Sequence, residues 1–142
     1  MMSGIHGKHT KPEILVRHGL HARGFRYRLH AKNLPGRPDL IFQKWKAIIF
    51  VHGCFWHAHD CKFFKIPATR TDFWLDKIRS NKERDKRQLS ELHELGWRTL
   101  TVWECVTRKN TEISHEQLFD LIAEWLKNGN DCSEIDLGGI HA

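Results

Sequence analysis

The chain is poor in the features that would place it outside a single aqueous compartment. None of its apolar runs approaches the about 20 residues that a membrane helix needs, and Met1–Lys8 lacks the apolar core of a secretory signal. The expectation is a cytoplasmic protein with no membrane association. Cysteine is scarce, with four residues in 142. In a reducing compartment, Cys54, Cys61, Cys105 and Cys132 read as metal ligands or thiols, not as a disulfide framework. Repeats, low-complexity tracts and interior linkers are also missing, and the length fits one domain with its own core. Nor is there an acidic excess: the formal charge is +6, which favours a polyanionic partner such as nucleic acid.

What the sequence does contain is concentrated in one stretch. Val51-His52-Gly53-Cys54-Phe55-Trp56-His57-Ala58-His59-Asp60-Cys61 holds three histidines, two cysteines and two adjacent large aromatics, delivered by the β-branched run Ala47–Val51. Imidazole and thiolate suit Zn²⁺, and Cys54, His59 and Cys61 are close enough for one loop to wrap an ion. Cys105 supplies a fourth ligand from a distant part of the chain, the alternative being a buried thiol. Two readings of His57 stand side by side: a fourth zinc ligand, or a base, since an imidazole can accept the proton of an attacking water near neutral pH. Successive side chains of extended backbone point to opposite faces, so Phe55 and Trp56 cannot both enter one core. At least one faces outward, where it can grip a base.

The periodicities around this loop predict an α/β domain over residues 11–142, preceded by a polar arm over residues 1–10. Thr10 caps a first helix with Pro12 in its first turn and a stripe of Ile14, Leu15, His18 and Ala22, and Gly24 ends it. Phe25–Leu29 alternates as a strand. A second strand near Arg37–Phe42 and a third over 46–51 form a hairpin that brings Asp39 beside Val51 and His52. Thr71 is expected to cap a long helix from about Asp72 to Leu95, with Trp74, Ile78, Asp85, Leu89 and Leu92 on one stripe, so that Asp85 lies on the buried face. Gly96 stops it, Trp97–Trp103 alternates as a fourth strand, and Ser114 opens a last amphipathic helix through Leu118, Leu121, Ile122 and Trp125. The tail from Asp131 carries little pattern. The order implies a mixed central sheet flanked by helices.

A metal-dependent nuclease needs a fixed carboxylate to hold a cation at the scissile phosphate and a base for the water. Asp39 suits the first task, although an aspartate after Gly36 can also serve only to cap a turn.

Gly36-Arg37-Pro38-Asp39, His52–His57 with His59 and Cys61, Pro67–Thr71, Phe73-Trp74, Asn81, Glu83-Arg84-Asp85, Leu95–Trp97 and Val102–Cys105 together closely resemble the very-short-patch repair (Vsr) endonuclease family. The match runs from about Lys11 to Cys105 and more weakly beyond. The resemblance implies a restriction-endonuclease-like fold, a structural zinc on Cys54, His59, Cys61 and Cys105, and Mg²⁺-dependent nicking of double-stranded DNA 5′ of the thymine in a T·G mismatch. By motif, Asp39 and the Val51 backbone carbonyl are similar to the Mg²⁺ ligands, and His57 to the general base. Glu13, His52 and Asp85 resemble the polar residues around the metal and its waters. Phe55, Trp56 and Trp74 resemble the aromatics wedged into the base stack; the competing reading of Trp74 is core packing. A monomer, with other repair proteins as possible partners, is expected.

Two departures stand out. The arm lacks the Asn-Met motif usual upstream in the family, and the third strand reads Ile49-Phe50-Val51-His52 without the second acid and lysine of most restriction-like nucleases, itself a Vsr feature. The competing functions are a restriction-like nuclease with another DNA target and a zinc-stabilised DNA-binding module that does not cut.

Overall fold

A computed structural model describes residues 10–54, 57, 59, 61, 65–109 and 111–142; the expected arm over residues 1–9 and the aromatics Phe55 and Trp56 lie outside them. The helices are α1 (Lys11–Ala22), α2 (Thr71–Glu94) and α3 (His115–Asn128). The strands are β1 (Arg28–Leu29), β2 (Leu40–Phe42), β3 (Ala47–His52), β4 (Arg98–Trp103), β5 (Cys132–Asp136) and β6 (Gly139–His141). They form one mixed sheet in chain order, antiparallel except for the parallel pairs β3–β4 and β4–β5. Each parallel pair is bridged by a helix, α2 or α3, as a crossover requires.

Both faces of the central strands are covered, which is why Ala47–Val51 reads as an unbroken apolar run. Along β3, Ala47 and Ile49 point into the larger core with Val16 and Leu20 of α1 and Leu118 and Ile122 of α3. Ile48 and Phe50 point the other way, with Leu92 of α2. His52 continues the second face, towards α2. The fold is the mixed, helix-flanked sheet of restriction-endonuclease-like proteins. No helix among the described residues is long and apolar enough to cross a membrane.

Several local expectations hold. Thr10 Oγ1 accepts the Glu13 N–H at 3.3 Å, Ser114 forms a reciprocal capping box with Gln117, and Gly96 adopts φ +91° just past α2.

Others are corrected. The buried face of α1 is Glu13, Val16 and Leu20, because the Phe119 ring of α3 lies against Gly19, where a Cβ would sit 2.3 Å from it. Ile14 and Leu15 are half-buried and His18 and Ala22 are exposed. Thr71 does not cap α2: Arg70 holds the cap position in a left-handed conformation, and the Thr71 hydroxyl instead donates to the carbonyls of Pro67 and Ala68. The first strand pairs only at Arg28 and Leu29. The tail that carried little pattern makes both β5 and β6.

Candidate active site and metal cluster

A cleft of about 830 Å³ opens where β3 and β4 end, between the N-terminus of α1 and the middle of α2. Ligand sites in parallel sheets form at this end of the strands. Gly36 at φ +77° and Arg37 at φ +46° turn the chain sharply, and a Cβ on Gly36 would crowd the Phe50 ring at 3.2 Å. That turn delivers Asp39 one residue before the β2–β3 pair Leu40–Ile49. Asp39 Oδ2 accepts the Val51 N–H at 2.7 Å, as the hairpin geometry led one to expect.

Two polar groups gather in the cleft. In the first, ligand atoms of Glu13, His30 and Asp39 lie within 4.8 Å of one another. Glu13 is 1% exposed, and its Oε2 meets His30 Nε2 at 2.8 Å and the Arg17 guanidinium at 3.0 Å. Burial is the largest influence on the Asp39 carboxyl and raises its pKa to about 6, against the lowering effect of the Val51 N–H. Glu13 is already compensated by Arg17 and His30, so Asp39 is the buried hard-oxygen donor here that fits a divalent cation such as Mg²⁺.

The second group joins His52, His57 and Asp85. His57 Nδ1 forms a short contact with Asp85 Oδ2, and its ring lies flat on His52, centroids 3.8 Å apart and planes 3° apart. A carboxylate facing Nδ1 keeps the proton there and makes Nε2 the basic nitrogen. Burial first, and the neighbouring His57 second, lower the pKa of His52 well below the usual histidine value, so it is neutral. Asp85 is therefore on the face the helical stripe put it on, half-buried and engaged by His57.

Beyond the cleft lies a sulfur-rich cluster. Ligand atoms of Cys54, His59, Cys61 and Cys105 also fall within 4.8 Å of one another. His59 Nδ1 faces the sulfurs of Cys54 at 3.5 Å and Cys105 at 3.6 Å. Cys54 follows β3 and Cys105 follows β4, so the cluster ties the loop to the far half of the chain. The hydrogen bond between Cys54 and Cys105 dominates their ionisation, raising the former and lowering the latter. Sulfurs that crowd around one shared proton form a donor set suited to a thiophilic cation, which would displace it. Cys132 is exposed and outside the cluster. His57 is grouped with Asp85 and not with the sulfurs.

Trp74, in the first turn of α2, is half-buried and packs edge-on against the exposed Phe73, centroids 5.1 Å apart.

Sequence reasoning missed His30, Trp103 and Asp136. Trp103 stacks on His59, centroids 4.3 Å apart and planes 7° apart, and Asp136 Oδ2 lies 3.5 Å from His59 Nε2. Burial tends to raise the Asp136 pKa, but hydrogen bonds from His141 and the Gly138 N–H lower it overall, so it is ionised. His30 follows an alternating segment and resembles any solvent-facing position, and the turn signal Gly138-Gly139 after Asp136 was the one cue to a hairpin in the tail.

Residues 1–63 match the family model described as DNA mismatch endonuclease Vsr. The chain is 44% identical over 140 residues to the DNA mismatch endonuclease Vsr of Escherichia coli, covering 99% of this chain and 90% of that protein. It is 47% identical to the type II nicking enzyme V.NmeAIP of Neisseria meningitidis, covering 87% of this chain and 88% of the relative. With the type II nicking enzyme V.XorIIP of Xanthomonas oryzae it shares 46% identity over 74% of this chain and 77% of the relative. The chain belongs to the Vsr family of DNA mismatch endonucleases.

Proposed function

We propose that this protein is a Mg²⁺-dependent, zinc-braced endonuclease that nicks one DNA strand on the 5′ side of the thymine at T·G mismatches, the first step in repairing deaminated 5-methylcytosine. The observation that carries the reading is the facing of Asp39, fixed to the Val51 amide, and the His57–Asp85 pair across one cleft.

Asp39 and the Val51 carbonyl would hold Mg²⁺ in this reading. The ion, when bound, offsets charge developing on the scissile phosphate. His57 Nε2 takes the proton of the attacking water, while Asp85 holds the ring and stabilises the imidazolium that forms. Neutral His52 supports the ring by stacking without adding a competing charge. Glu13, gripped by Arg17 and His30, would orient water beside Asp39. Zn²⁺ on Cys54, His59, Cys61 and Cys105 has no part in the chemistry and fixes the loop that carries His57. Phe55, Trp56 and Trp74 wedge beside the mismatch, where weaker stacking lowers the cost of insertion. The protein works on double-stranded DNA in the cytoplasm as a monomer, handing the nick to other repair proteins. Both Asp39 and His57 are present, which favours a cutting enzyme over a DNA-binding module.

The test is a nicking assay on one duplex sequence carrying T·G, T·A or C·G at a single position, with Mg²⁺. Selective nicking at T·G is expected. Equal cutting of all three duplexes overturns mismatch specificity, and no cutting of any overturns the enzyme.

A further inference from the structure

The tail reaches the metal cluster. His59 uses Nδ1 towards the sulfurs and turns Nε2 to Asp136 Oδ2, 3.5 Å away. The other oxygen of the same carboxylate, Oδ1, is occupied: it accepts the Gly138 N–H at 2.8 Å and meets His141 Nε2 at 2.9 Å. Asp136 is thus held by its own hairpin with one oxygen aimed at the imidazole. On the flat side of the ring lies Trp103, whose Nε1–H donates to Glu134 Oε1 at 2.9 Å, again from β5.

A histidine that binds a metal through one nitrogen is commonly oriented by a carboxylate on the other, which fixes its tautomer and raises its basicity. We propose that Asp136 is the positioning residue of the metal cluster: the β5–β6 hairpin presents its carboxylate to His59 Nε2–H, so that Nδ1 alone binds the metal. The last strands of the chain are then part of the metal site, although they hold none of its ligands. This rests on the reading of Cys54, His59, Cys61 and Cys105 as the zinc ligands, and the two fail differently.

The test is Zn²⁺ affinity by competition with a chromophoric chelator, using the full chain. Asp136→Asn keeps Oδ1 for the Gly138 amide but replaces the accepting Oδ2 with a donor, and should weaken Zn²⁺ binding about 10- to 100-fold. His141→Ala, which touches only Oδ1, should change it less than about threefold, well short of the loss expected for an outer-shell partner. Wild-type affinity in Asp136→Asn overturns the role of the tail and leaves the ligand set standing; no zinc in the wild-type protein overturns the ligand set and the inference with it. Should Asp136→Asn fail to fold, long-range ¹H–¹⁵N correlation on the zinc-loaded wild type decides the matter. Nδ1 bound to metal with Nε2 protonated is expected, and metal on Nε2 overturns the proposal.

Discussion

His57 and His59 are two residues apart in one loop and sit in opposite surroundings. The difference lies in what each Nδ1 meets. His57 Nδ1 meets the Asp85 carboxylate, which leaves Nε2 to face the cleft in the role proposed for it. His59 Nδ1 meets two sulfurs, as the proposed zinc ligand would, and the carboxylate of Asp136 lies at Nε2 instead. Around His57 the neighbours are a stacked imidazole and an open cleft; around His59 they are buried thiols and a tryptophan face. Residue type alone therefore says little about role. The hydrogen-bond partner on the second nitrogen says more.

Substitutions can be chosen to collapse this contrast. The largest effect is expected in the cleft: Asp39→Ala and His57→Ala should each lower nicking by about 10²- to 10⁴-fold or more while keeping bound zinc and mismatch binding, measured by single-turnover cleavage and elemental analysis. Loss of zinc from His57→Ala would erase the distinction between the two histidines. Next, Cys105→Ala should release the metal and lower the melting temperature, whereas Cys132→Ala should do neither; unchanged zinc in Cys105→Ala removes it from the ligand set.

A third substitution separates recognition from chemistry. Trp74→Ala should weaken binding to T·G duplex by about ten- to hundredfold, since stacking a base on an aromatic is worth roughly 1–3 kcal/mol. Matched DNA, held mainly through phosphates, should bind almost as before and stay salt-dependent. Equal losses on both duplexes would return Trp74 to the protein's packing.

The smallest effect is in pH. Burial raises the Asp39 pKa to about 6, so below that value a proton competes with the cation for the same oxygen. The Mg²⁺ concentration for half-maximal nicking should rise by about tenfold per pH unit below 6, and an excess of Mg²⁺ should shift the acidic limb downward. A limb that ignores Mg²⁺ would assign it to another group.

Much of this was legible because it is local in sequence. The hairpin logic placed Asp39 against Val51, helical spacing put Asp85 on the inner stripe, and ligand chemistry grouped Cys54, His59 and Cys61; Cys105, far along the chain, joined them by residue type alone. What escaped depends on contacts across the fold. The inner face of α1 was misjudged because Gly19, with no side chain, marks the close approach of Phe119, which no hydropathy pattern records. Asp136 meets His59 from 77 positions further along the chain, through a β5–β4 pairing that polar, turn-rich sequence does not announce. His30 was invisible for a similar reason: its partner Glu13 is on another element.

The sheet ends in stubs. Its outer strands, β1 and β6, are two and three residues long, and β1 carries Arg28 at its tip, whereas the six-residue β3 and β4 are enclosed in the middle. Little unsatisfied backbone is thus offered at either margin for a second chain to extend, and the β-rich centre is insulated from edge-to-edge aggregation.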